Sequence, residues 1–210
     1  MTNPVWAPSA ERIEHSNMTA FIRAADVGST YADLYRWSIL HPDDFWALMW
    51  RFARVVATEH DGRDPWEEVV HGLDRMAPPD RDLGPRWFAG ARLNFAENLL
   101  RYRDDHEAIV AWNESGRQLS ITYAELHEDV ARIASALREH GVREGDRVAG
   151  FMPNIPEAVI AMLAAASIGA VWSSCSPDFG VQGVLDRFGQ IEPRILFCAD
   201  SYVYAGKRID

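Results

Sequence analysis

Lysine is almost missing from this chain. Of 210 residues, twenty-one are basic, and all of these except Lys207 are arginine. Acidic side chains number thirty-one, the formal net charge is −10, and no basic tract occurs. A field of that sign gathers neither nucleic acid nor an anionic membrane surface, so partners of both kinds are excluded. Cysteine is nearly as scarce: Cys175 and Cys198 are the only two. Neither belongs to a Cys-x-x-Cys pair or stands near a histidine at metal spacing, so no disulfide framework or zinc site is expected. Both are expected as reduced, buried thiols. The longest apolar stretch, Ala158 to Trp172, is interrupted by Ser167 and Gly169 and is shorter than the roughly 18 to 20 residues of a membrane span. Residues 1–10 lack the basic-then-apolar order of an export signal, which makes a soluble, cytoplasmic protein the expectation.

Self-sufficient active-site motifs are lacking too. Gly206-Lys207 is followed by Arg208, and Ser201 stands where a phosphate loop would need its leading glycine. Neither a Gly-x-Gly-x-x-Gly nor a His-Glu-x-x-His motif is present, and the seven histidines are scattered. The Ser173-Ser-Cys-Ser176 run has no base nearby and reads as a strand-end turn rather than a nucleophile.

What is there is an ordinary globular composition, 48% hydrophobic and 25% charged, with a change of texture along it. Residues 1–103 are rich in Trp, Asp and Pro and read as a mostly helical N-terminal cap. The clearest helix is expected from Pro42 to His60, with Pro at its first position, Asp43 and Asp44 suiting the dipole, and an apolar face that includes Val55 and Val56. Four prolines and several charges between Asp61 and Gly90 suggest a surface excursion.

From 104 to 210 the pattern is regular α/β. A hairpin is expected at 108–112 and 118–121, followed by a helix opened by a Thr122–Glu125 capping box and closed by Gly141. Strands at 147–152, 170–174 and 194–199 alternate with helices at 157–168 and 182–190. That order implies an incomplete, mostly parallel sheet with helices on both faces. The last expected strand stops about ten residues before the end of the sequence, with no helix after it to complete the winding. In such sheets ligands bind beyond the carboxyl ends of the strands, which singles out Cys175 to Gly180 and Asp200 to Arg208. Lys207 and Arg208, after the small residues Ala205 and Gly206, suit either a bound phosphate or a solvated basic turn.

Several segments carry a resemblance. Ile121-Thr-Tyr-Ala-Glu-Leu126 resembles the first core motif of adenylate-forming enzymes, and Ala161 to Arg187 resembles the second. Trp87-Phe88 and Leu93-Asn-Phe-Ala-Glu-Asn-Leu-Leu100 resemble the N-terminal signature of acetyl-CoA synthetase relatives. Trp172-Ser-Ser-Cys-Ser-Pro-Asp-Phe-Gly180 and Ala205-Gly-Lys-Arg208 are similar to the acetoacetyl-CoA branch of that family. The chain thus resembles about the first third of an acyl-CoA synthetase. The acetyl-CoA branch has a Phe-Gly-Gly-Phe turn in place of Ser176 to Phe179, and an arginine in place of Tyr204.

The resemblance implies a ligase that activates acetoacetate with ATP and Mg2+ to an acyl-adenylate and then transfers the acyl group to coenzyme A. It implies Lys207 beside the adenosine end of coenzyme A, Tyr204 and Ile209 along the adenine, and Ser176, Pro177 and Asp178 lining the entry of the thiol arm. Catalytic residues and metal ligands would lie in the remainder of the polypeptide, and the 210 residues alone would be inactive. Two other readings stand beside it: a stand-alone α/β nucleotide- or protein-binding module without catalysis, and a relative of acetyl- or propionyl-CoA synthetases.

Overall fold

The computed structural model describes residues 5–58, 62–74 and 84–209. They form two compact units that divide between Arg92 and Leu93, and the texture change near residue 103 falls inside the second.

The first unit opens with four helices, α1 (Ala10–Glu14), α2 (Asn17–Ala25), α3 (Tyr31–Leu40) and α4 (Pro42–Phe52). Ser9, Ser16 and Thr30 cap the first three, each hydroxyl accepting one of the amides that a helix start leaves unpaired. Helix α4 begins at Pro42 as expected but ends at Phe52, well before His60, which lies outside the described residues. Arg54 takes φ 51°, a left-handed conformation that an α-helix cannot continue through, and Val55 and Val56 therefore leave the face assigned to them. Phe21, buried to 4% exposure, is met edge-on by Phe45 and Phe52 at 5.6 and 5.0 Å between ring centres.

The expected surface excursion holds an antiparallel strand pair, β1 (Glu68–His71) with β2 (Arg86–Ala89). Trp66 and Phe88 from this segment pack on Trp50 of α4 at 5.2 and 4.5 Å. Aromatic packing rather than alternating polarity accompanies these short strands, so the alternation pattern did not reveal them.

The second unit contains α5 (Phe95–Leu99), the hairpin β3 (Glu107–Asn113) and β4 (Gly116–Thr122), α6 (Tyr123–Glu139), β5 (Arg147–Phe151), α7 (Pro156–Ser167), β6 (Val171–Cys175), α8 (Val181–Ile191), β7 (Ile195–Cys198), and a last hairpin β8 (Tyr202–Tyr204) and β9 (Lys207–Ile209). Strands β6, β5 and β7 form a parallel sheet in that spatial order. Successive side chains of β5 point to opposite faces. Val148 joins Leu126, Val130 and Leu137 of α6 and Ile160, Leu163 and Ala164 of α7, whereas Ala149 joins Cys175 and Phe188 of α8. Helices thus cover both faces, as the alternation of elements implied.

Glycines close both helix ends, Gly141 as expected and Gly169 in addition. Gly141 and Gly169 take φ 78° and 75° after α6 and α7. Val142 N donates to Leu137 O and Gly141 N to Arg138 O, while Ala170 N donates to Ala165 O and Gly169 N to Ala166 O. Both are Schellman closures, with apolar contacts Leu137–Val142 and Ala165–Ala170 in the core.

Asn94 connects two elements. Its Oδ1 accepts from Glu97 N at 3.1 Å as the N-cap of α5, and its Nδ2 donates to Ala166 O at 2.9 Å near the end of α7. Asn94→Ala, which removes these bonds and the longer one from Nδ2 to Ser167 O, should lower unfolding stability by about 1–2 kcal/mol in urea titrations. Asn94→Asp keeps the cap acceptor but turns a carboxylate toward a carbonyl oxygen, so it should also fall below the parent chain. Parent-like stability of the Asp variant would show that the donor side of Asn94 is idle.

Candidate functional site

Phe151 at the end of β5 pairs with both Cys175 and Cys198, so the three parallel strands end level on one edge. After β5 the chain turns to α7 on one face, and after β6 it turns to α8 on the other. Connections that diverge in this way leave a crevice at the strand ends, bordered by residues 152–155 and 176–180. A cavity of about 350 Å3 opens beside this edge, lined by the apolar Met152, Phe197, Ile133 and Ile160 together with the charged Asp129, Arg132 and Glu157. None of the six residues singled out from the sequence lines it.

Ser176, Pro177 and Asp178 occupy the turn after β6. Ser176 Oγ donates to Asp178 Oδ2 at 2.9 Å, Asp178 N donates to Ser176 Oγ at 3.4 Å, and Phe179 N donates to Ser176 O at 3.1 Å. The Phe179 ring lies 4.0 Å from the Arg187 guanidinium, which also donates to Gly183 O at 3.2 Å. That contact fastens the turn to α8. Cys175 at the end of β6 is buried, and burial pushes its thiol above the ordinary value, partly offset by Arg187. Cys198 is exposed, contrary to the expectation that both thiols are buried. It ends the edge strand β7, whose alternate residues Leu196 and Cys198 have no covering element among the described residues.

Tyr204, Lys207 and Ile209 come together in the β8–β9 hairpin, which the sequence analysis did not foresee. Ala205 and Gly206 take φ 50° and 70°, the left-handed pair typical of a two-residue type I′ turn. Tyr204 pairs with Lys207 and Tyr202 with Ile209. Directly opposed residues share a face, so Tyr202, Tyr204, Lys207 and Ile209 lie side by side while Val203 and Arg208 take the other face. Tyr202 was missed; the Tyr-Val-Tyr alternation before Ala-Gly was the available signal. Among the described residues, no carboxylate forms an ion pair with the exposed Lys207 ammonium.

A second residue was also missed. Glu114, at the tip of the β3–β4 hairpin, accepts from Ala205 N at 2.7 Å and from Gly206 N at 2.6 Å. No local pattern marks it, because its partners are 91 and 92 positions away. Among the described residues, no group of three or more His, Cys, Asp or Glu side chains is placed to hold a metal ion.

The family model described as AMP-binding enzyme matches residues 95–209, and the one described as Acetyl-coenzyme A synthetase N-terminus matches residues 31–99. Among curated relatives, an acetoacetyl-CoA synthetase of Gallus gallus is 44% identical over 97% of this chain and 30% of its own length. A malonamoyl-CoA synthetase of Penicillium aethiopicum is 41% identical over 97% of this chain and 28% of its own length. The solved structure of acetoacetyl-CoA synthetase from Streptomyces lividans matches at TM-score 0.85 and 42% identity, covering all of this chain and 32% of that one. The chain therefore spans about 30% of the length of the curated relatives it matches. With a match over more than half of its residues, and the fold of the N-terminal part of an adenylate-forming enzyme, the chain belongs to the AMP-binding enzyme family.

Proposed function

We propose that these residues form the N-terminal part of a cytoplasmic acetoacetate–CoA ligase. The observation that supports this reading is the end-to-end likeness, in sequence and backbone, to acetoacetyl-CoA synthetases. A carboxylate is a poor electrophile. Such a ligase joins it to AMP from ATP, releasing pyrophosphate, and the coenzyme A thiol then displaces AMP. Mg2+, held by other parts of the polypeptide, would offset phosphate charge in the first step.

The chain's own contribution is to the coenzyme. On this reading residues 1–103 are the N-terminal region and 104–210 the start of the AMP-binding domain. Lys207 meets the 3′-phosphate, Tyr204 and Ile209 flank the adenine, and Ser176, Pro177 and Asp178 border the thiol arm. The shared face of Tyr204, Lys207 and Ile209 favours this assignment, and so does the position of residues 176–178 at the strand ends. Asp178 opposes an incoming phosphate, which places it better beside the uncharged arm.

The malonamoyl-CoA synthetase among the relatives supports a second substrate reading, another short β-substituted acid. AMP formation by the complete enzyme, measured with acetoacetate, malonamate, acetate and propionate, decides between them. Acetoacetate should be preferred, and preference for any of the other acids would overturn the assignment.

In that enzyme Lys207→Ala should raise the KM for coenzyme A about tenfold, the low end for a charge-assisted bond at an exposed site, while leaving pyrophosphate exchange intact. An unchanged KM would make Lys207 a solvated turn residue.

The 210 residues by themselves should not catalyse carboxylate-dependent exchange of labelled pyrophosphate into ATP. Pre-organised donors around the phosphates contribute about 3 kcal/mol or more each, and no phosphate loop is present in this stretch. Exchange above a heat-treated control, with acetoacetate present, would show a complete active site within this chain and overturn the assignment of the catalytic residues to the remainder of the polypeptide.

A further inference from the structure

We propose that Glu114 is a positioning residue for the coenzyme-facing surface of the β8–β9 hairpin: by accepting both amides of the Ala205–Gly206 turn it fixes where Lys207 and Tyr204 stand. The proposal rests on the coenzyme reading given above.

The hairpin is short, three residues in each strand, and forms a two-stranded sheet of its own apart from the β6-β5-β7 sheet. An isolated two-stranded ribbon is marginal in water, so its orientation depends on what ties it down. Ala205 is a non-glycine residue at φ 50°, a conformation that is unfavourable for an L side chain and has to be held by its surroundings. The two successive amides of such a turn point the same way and form a small anion-binding concavity. Glu114 fills it with one carboxylate oxygen on each amide, at 2.7 and 2.6 Å. Bonds to an ionised acceptor are the stronger kind, and a fork contact on two amides fixes orientation as well as distance.

Glu114 is itself held at the apex of a firmer structure. The β3–β4 hairpin has six paired positions, and Asn113 Oδ1 accepts from Ser115 N at 2.8 Å to shape its tip. One hairpin thus braces the other. Lys207 immediately follows the anchored turn and lies opposite Tyr204, so the turn sets the position of both side chains. The carboxylate also occupies the amide concavity, which leaves the Lys207 ammonium, rather than the turn backbone, to receive a phosphate.

The test uses the complete enzyme with four sequences, parent, Glu114→Ala, Glu114→Gln and Lys207→Ala, and two readouts. The first is amide hydrogen exchange at Ala205 and Gly206. It should speed up about tenfold in Glu114→Ala and less in Glu114→Gln, which keeps one oxygen acceptor, while amides of β5 stay as in the parent. The second is the dissociation constant for adenosine 3′,5′-bisphosphate, the adenosine end of coenzyme A. It should rise about three- to tenfold in Glu114→Ala and in Lys207→Ala, with partial rescue in Glu114→Gln. Unchanged exchange in Glu114→Ala would overturn the anchoring. Faster exchange with unchanged affinity, where Lys207→Ala does weaken binding, would overturn the positioning role alone. If Lys207→Ala has no effect, or the parent does not bind the bisphosphate, the coenzyme reading fails and the positioning role fails with it, whatever the exchange data show.

Discussion

Strand β5 has to be buried on both faces at once, and the second unit is organised around that requirement. Val148 and Ala149 are adjacent in sequence, completely buried, and packed into different clusters. A strand in that position needs helices above and below it and a hydrogen-bonded neighbour on each side. Helices α6 and α7 supply one cover and α8 the other, while β6 and β7 supply the pairing. Gly150 adds a local condition: a Cβ there would lie 2.6 Å from Cζ2 of Trp172, so the indole of β6 can rest on the strand only because no side chain intervenes. The level strand ends follow from this pairing, and with them the crevice at the carboxyl edge.

Several residues that carry the family resemblance have structural duties visible in the geometry. Gly169 closes α7 in a left-handed conformation, and Ala170 leads into β6. Asn94 caps α5 and reaches the end of α7, while Ala96 and Leu100 from the same signature enter the core. Thr122 and Glu125 exchange hydrogen bonds at the start of α6, and those bonds hold the Glu125 carboxyl below its ordinary range. These motif positions are helix ends and their contacts, where one wrong residue leaves backbone groups unpaired. Arg187 and Phe179 differ in kind, because they fasten the turn at the site itself.

Charge at the site is sparse and arranged by backbone. The only lysine follows a strained turn, and the turn's amides are taken by a carboxylate from another hairpin. In a chain with net charge −10, one exposed ammonium does not attract an anion from a distance. On the coenzyme reading proposed above, its usefulness depends on being held beside Tyr204 and Ile209, which makes the orientation of the hairpin more important than its charge.

The sequence by itself determined the α/β order, the capping box at Thr122, the closure at Gly141, and the family, because each is written in local spacing or in a contiguous motif. It identified Lys207, Tyr204 and Ile209 as candidates without their common face. Only the tertiary structure decided that face, through the register that opposes Tyr204 to Lys207 and Tyr202 to Ile209. Only the structure ended α4 at Phe52, where the backbone turns left-handed at Arg54, and paired β1 with β2 beside the aromatic cluster of Trp50, Trp66 and Phe88. Glu114 was beyond local reading for the same reason. A glutamate in a hairpin turn is an ordinary solvated residue until the folded chain brings the amides of Ala205 and Gly206 to its carboxylate, and the free energy of that contact depends on a separation in space that periodicity along the chain does not encode.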